Sequence, residues 1–97
     1  MGKVKNCKAK GTRLELKTMK RLEAVGYKCT RSAASLGEWD VIAVGADDVR
    51  LIQVKCNRWV SGVELETLKE FKCPPGVVKE MWRWDDRKRE PRVRRID

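Results

Sequence analysis

Apolar and polar positions along this chain follow two different periods, and the switches between them divide it into elements. From Gly11 onward, Leu14, Leu16, Met19, Leu22 and Val25 recur at roughly helical spacing among Lys and Arg, which predicts an amphipathic helix over 12–25 that Gly26 stops. Tyr27 to Arg31 is short and β-prone and predicts a strand. Ser32 to Gly37 is small and polar and predicts a loop. The run WDVIAV (39–44) is apolar with one acid in it, Gly45 to Asp48 reads as a turn, and VRLIQVKC (49–56) alternates. These two runs predict a β-hairpin. Ser61, with Glu64 three residues on, has the form of a capping box and predicts a helix over 62–72, ended by Pro74, Pro75 and Gly76. VVKEMWRW (77–84) predicts a strand, Asp85 to Pro91 a charged turn, and RVRRI (92–96) a last edge strand. The order α-β-β-β-α-β-β predicts an α/β domain with a central mixed sheet flanked by helices.

A length of 97 residues predicts a single domain over 11–97, preceded by a flexible basic arm over 1–10 that carries Lys3, Lys5, Lys8 and Lys10. The 23 Lys and Arg against 14 Asp and Glu give a formal charge of +9, so the expected partner is a polyanion bound in a salt-dependent way. No apolar run is long enough to span a bilayer and no signal-peptide pattern is present, which predicts a cytoplasmic protein with no membrane partner.

Chemistry is narrowed most by what is missing. There is no histidine, so nucleophilic triads and histidine-based nuclease mechanisms are excluded. Cys7, Cys29, Cys56 and Cys73 never form C-x-x-C pairs, which argues against a zinc site and for reduced, mostly buried thiols. Acid-base work falls to Asp, Glu, Lys, Tyr or metal-bound water.

Asp40 interrupts the first hairpin strand. Gln53 and Lys55 lie two apart on the second, on one face. Paired as a hairpin, the strands bring the three together. Carboxylate and amide oxygens can hold a hard cation, to which the Val54 carbonyl adds a further oxygen. A lysine ammonium can offset charge developing on a phosphate. The spacing D-(x12)-Q-x-K is close to the D-(xn)-(D/E)-x-K signature of PD-(D/E)xK nucleases. Taken alone, an amphipathic strand with Gln53 and Lys55 on its wet face explains the triplet somewhat more simply.

Further segments agree with the signature, in order. Gly11-Thr12-Arg13-Leu14-Glu15 resembles the G-x-x-x-E start of archaeal-type Holliday junction resolvases. Gly26 to Ser35 (GYKCTRSAAS) resembles their G-[FY]-x-x-x-R-S-A-x-S element. Asp40-Val41-Ile42-Ala43 is similar to their D-[IV]-[IV]-A, and Leu51-Ile52-Gln53-Val54-Lys55 to their apolar-I-E-V-K. The resemblance covers about residues 11–84. It implies a restriction-endonuclease-like fold and a homodimer cutting symmetry-related strands of four-way DNA. It also implies a Mg²⁺ centre (Mn²⁺ substituting) with no small-molecule cofactor. By the same resemblance Glu15, Asp40, Gln53 and Val54 would hold the metal, Lys55 and Ser35 would complete the catalytic set, and Arg31 would contact phosphate. Arg13, Lys17, Ser32 and Arg58 are the other expected DNA contacts.

Three positions depart from the pattern. Gln53 stands where the family has glutamate, Trp39 where it has proline, and Leu16 where an arginine often follows the helix glutamate, a role open to Arg13 or Lys17. Another nuclease of the same fold, or a relative that binds DNA without cutting, therefore stays an alternative. The Trp82 and Trp84 strand face reads as core or as the dimer surface, Trp59 as either packing or base stacking, and the Arg-rich tail as either a DNA contact or a solvated edge.

Overall fold

The computed structural model describes residues 6–31 and 38–96, with residues 6–10 as backbone alone. Its elements are α1 (Asn6–Ala24), β1 (Lys28–Arg31), β2 (Val41–Val44), β3 (Val49–Cys56), α2 (Gly62–Glu70), β4 (Val77–Trp84) and β5 (Arg92–Ile96), in the predicted order. The strands form one mixed sheet in the order β1-β2-β3-β4-β5, antiparallel throughout except for the β3–β4 pair. A parallel pair needs a crossover, and α2 occupies it.

Alternate residues of a strand face opposite sides, so each helix finds its own apolar layer. Leu14 and Leu22 of α1 pack with Val41, Ala43, Ile52, Trp82 and Trp84 on one face. Leu68 of α2 joins Trp39, Leu51, Val60, Met81 and Ile96 on the other. The last turn of α2 is held by Lys79, whose ammonium donates to the carbonyls of Leu68, Lys69 and Phe71 at 2.7, 2.9 and 3.0 Å. Cations at a helix C-terminus satisfy orphan carbonyls and oppose the dipole. The β2–β3 turn is packed from outside by Tyr27. Its ring lies where a side chain at Gly45 would start, 2.6 Å from that position, and its hydroxyl donates to Asp48 at 2.6 Å.

One expectation is corrected and one open reading is decided. The first helix starts at Asn6 rather than 12, so residues 6–10, assigned to a flexible arm, are helical in backbone. Gly11 was the misleading signal. A glycine inside a helix costs about 1 kcal/mol relative to alanine, which flanking helix formers such as Ala9 and Lys10 can absorb. Residues 1–5 of the expected arm lie outside the described residues. Of the two readings of Trp82 and Trp84, core and dimer surface, the core one holds, because both are buried beneath α1 and their strand lies inside the sheet between β3 and β5. Their indole N–H groups are satisfied, Trp84 by Thr18 Oγ1 at 2.9 Å and Trp82 by Glu80 at 3.0 Å. Thr18 in turn donates to the Leu14 carbonyl at 2.8 Å. Cys29, Cys56 and Cys73 are free thiols of intermediate burial.

Candidate active site

The β2–β3 ladder runs from Val44↔Val49 to Val41↔Ile52, so the next residue of each strand sets Asp40 beside Gln53. Asp40 fastens itself to β3 on both sides of that glutamine. Its backbone N–H donates to the Ile52 carbonyl at 2.9 Å, and its carboxylate accepts the Val54 N–H at 2.9 Å. In an antiparallel pair the N–H and C=O of one residue point the same way, so the Val54 carbonyl also faces this strand. Gln53 and Lys55 share with Leu51 the face covered by α2.

Two further carboxylates complete the surroundings. Lys55 Nζ lies 2.9 Å from Glu64 on α2. Glu15 of α1 is paired with Arg31 Nε of β1 at 3.0 Å, and Arg31 also reaches Thr12. Burial is the main influence on Asp40 and pushes its carboxyl above the usual aspartate value. The Val54 N–H and Lys55 oppose that shift, and the charges of Glu15 and Glu64 add to it. The carboxylates are therefore close enough to sense one another.

Gln53 is the most informative residue. It is 7% exposed, yet its Oε1 has no hydrogen-bond partner among the described residues. A buried polar atom left this way costs about 1–3 kcal/mol, which a structural glutamine would avoid. An oxygen-seeking cation would satisfy it. Among the described residues no three carboxylates or thiols converge on one point. Magnesium does not need that, because it takes one or two carboxylates and keeps several waters. The Asp40 carboxylate, the Gln53 amide oxygen and the Val54 carbonyl, with Glu15 nearby, fit such an ion.

The other expected residues divide into groups. Arg31 joins the site through Glu15. Arg13 and Lys17 lie on another flank of α1, where they line a hollow of about 340 Å³ with Trp84, Asp85, Arg87 and Lys88. Lys17 sits 4.4 Å above the Trp84 ring. Neither residue is paired with Glu15, whose cation is Arg31. Arg58 is exposed in the loop after β3. Ser32 and Ser35 lie outside the described residues.

Two features escaped the sequence reading. Ser61 makes no side-chain cap on α2, so the expected capping box is absent and Glu64 spends its carboxylate on Lys55. Trp59 is surrounded by three guanidinium groups, Arg94 at 4.3 Å and Arg83 and Arg92 at 5.7 Å each. Lys55 is in register with Arg83, and Arg83 with Arg92, so three cations cross β3, β4 and β5 in one row. Their wide spacing in the sequence hid this row.

Sheet order, crossover and the placing of the two helices define a restriction-endonuclease-like α/β fold. Among solved structures the chain is similar to Archaeoglobus fulgidus Hjc, a Holliday junction resolvase from an archaeal hyperthermophile. The TM-score is 0.73 at 24% identity, over 90% of this chain and 73% of that one. At this identity the likeness establishes the shared fold. No family model and no curated protein matches the chain. No helix among the described residues is long and apolar enough to cross a membrane.

Proposed function

We propose that this chain is a metal-dependent DNA endonuclease that resolves four-way junctions. The observation that carries the reading is Asp40 clasping β3 around a buried Gln53 whose Oε1 has no partner among the described residues, with Lys55 two residues on. This arrangement sits in a fold shared with a Holliday junction resolvase. Asp40, Gln53 and the Val54 carbonyl would hold Mg²⁺, with Glu15 in support. When bound, the ion lowers the pKa of an attacking water and polarises the phosphate. Lys55 offsets charge gathering on the phosphoryl oxygens. The Lys55–Arg83–Arg92 row and the remaining surface cations bind the DNA backbone, which positions a substrate without reading its sequence. Two active sites are needed for paired cuts, so the working form is a homodimer.

Gln53 favours one second reading, a relative that binds junctions without cutting them, because the amide brings one negative charge fewer than glutamate. Incubating a labelled four-way junction with Mg²⁺ or with EDTA, beside a duplex of the same sequence, separates the two. Symmetric, Mg²⁺-dependent nicks in the junction alone are expected. Tight binding with no nicks would establish the second reading, and equal cutting of duplex would remove junction selectivity.

A further inference from the structure

The charge balance of the site turns on a residue that belongs to neither strand of the hairpin. Glu15, Asp40 and Glu64 supply three carboxylates, and Lys55 and Arg31, each paired with one of them, supply two cations. One net negative charge remains. Without Glu64 the set would be neutral, and Lys55, beside Gln53 on the same face, would stand uncompensated with Arg83 next to it across the sheet. A neutral or positive set of side chains attracts a divalent cation less strongly than a negative one.

Gln53 is why the balance is so fine. A glutamate there would add the missing charge directly. The Gln53 amide contributes a buried oxygen with no partner among the described residues, and no charge. Glu64 is also available, because Ser61 and Glu64 do not form the reciprocal cap that their spacing suggests. Its carboxylate lies 2.9 Å from Lys55 instead.

We propose that Glu64 is a positioning residue that holds Lys55 and supplies, from α2, the negative charge that Gln53 lacks, so that the site can take a divalent cation. This rests on the cation-site reading above. Glu64 acts through Lys55 and through the field at Asp40 and Gln53, without contacting the ion.

The test is Mn²⁺ binding to the full chain without DNA, followed by electron paramagnetic resonance. Glu64→Gln is expected to weaken binding about tenfold, the scale on which residues supporting metal ligands act, while Glu66→Gln, an equal charge change at an exposed position of the same helix, stays within about twofold. Glu64→Asp, which keeps the charge, is expected to retain binding and separates loss of charge from damage to α2. Restoring a glutamate in the Gln53→Glu/Glu64→Gln double variant is expected to bring affinity back to within about threefold of the original chain. Equal binding by Glu64→Gln and Glu66→Gln, or a double variant as weak as Glu64→Gln, would overturn the role of Glu64 and leave the cation site standing. No Mn²⁺ binding by the original chain would overturn both.

Discussion

The two faces of the sheet handle buried polar groups in opposite ways. Under α1, Thr18 is paired with both the Leu14 carbonyl and the Trp84 indole, and Glu80 accepts from Trp82 while pairing with Arg50. Under α2, the Gln53 side-chain oxygen and the Trp39 indole N–H are buried without partners among the described residues, although Trp39 packs edge-on against Phe71 at 5.6 Å. Apolar packing is present on both sides, so the difference lies in the polar groups. On one face the buried polar groups are paired with one another. The other leaves hydrogen-bonding capacity unused beside a half-buried aspartate and a lysine, which is where a binding or catalytic task belongs.

The largest expected effect breaks the comparison at the chemistry. Asp40→Asn and Lys55→Ala should each lower junction cleavage about 100-fold or more, the scale on which preorganised charge acts in catalysis. Junction affinity, measured by gel shift in EDTA, should stay within a few-fold. A large loss of binding in both would mean that these residues build the DNA surface and not the reaction centre.

A smaller effect contrasts the faces in stability. Thr18→Val leaves the Trp84 indole unsatisfied and should cost about 1–3 kcal/mol by urea denaturation. Gln53→Met removes an oxygen that has no partner to lose and keeps similar volume, so its stability should match the original chain or exceed it. If Gln53→Met were the more damaging of the two, Gln53 would be a structural residue after all.

The smallest effect concerns pH. Asp40 is raised chiefly by burial, so its charged form disfavours folding at neutral pH. As the pH falls through that raised value toward the ordinary one of the unfolded chain, the folded protein takes up its proton first and the penalty disappears. Asp40→Asn, whose amide oxygen can still accept the Val54 N–H, should therefore raise the melting temperature at neutral pH, with a difference that shrinks in acid. A difference independent of pH would place the stabilisation elsewhere.

Much of this was legible in the sequence, and for physical reasons. Apolar periods of about 3.6 and 2, with β-propensity, a capping pattern and the Pro-Pro-Gly stop, located all seven elements; the strand period put Gln53 and Lys55 on one face, and the hairpin pairing set Asp40 beside them. What escaped depends on tertiary position. Ser61 and Glu64 carry a local capping pattern, and nothing near them in the chain announces that Lys55 will stand 2.9 Å away. The burial of Trp82 and Trp84 depends on β4 having a neighbour on each side, and alternation along a strand does not reveal whether it is internal or at an edge. The early start of α1 was hidden because a single glycine looks like a boundary when the residues before it lack an apolar stripe.

The parallel pairing of β3 with β4 also bears on the order in which the site assembles. Asp40, Gln53 and Lys55 all belong to a hairpin whose strands are joined by the short Gly45–Asp48 turn. Such local contacts close at little chain entropy. Glu64, Trp59 and the arginines of β4 and β5 arrive only when the chain has looped through Asn57–Gly76 and β4 has found its place. The oxygens proposed as ligands can thus be set by a fast local event, while the counter-charge and the basic row wait for the contact most distant in sequence within the sheet. A nascent chain with its hairpin closed but its crossover unformed would hold those oxygens without their electrostatic setting, so the proposed competence for metal and DNA would be tied to completion of the fold.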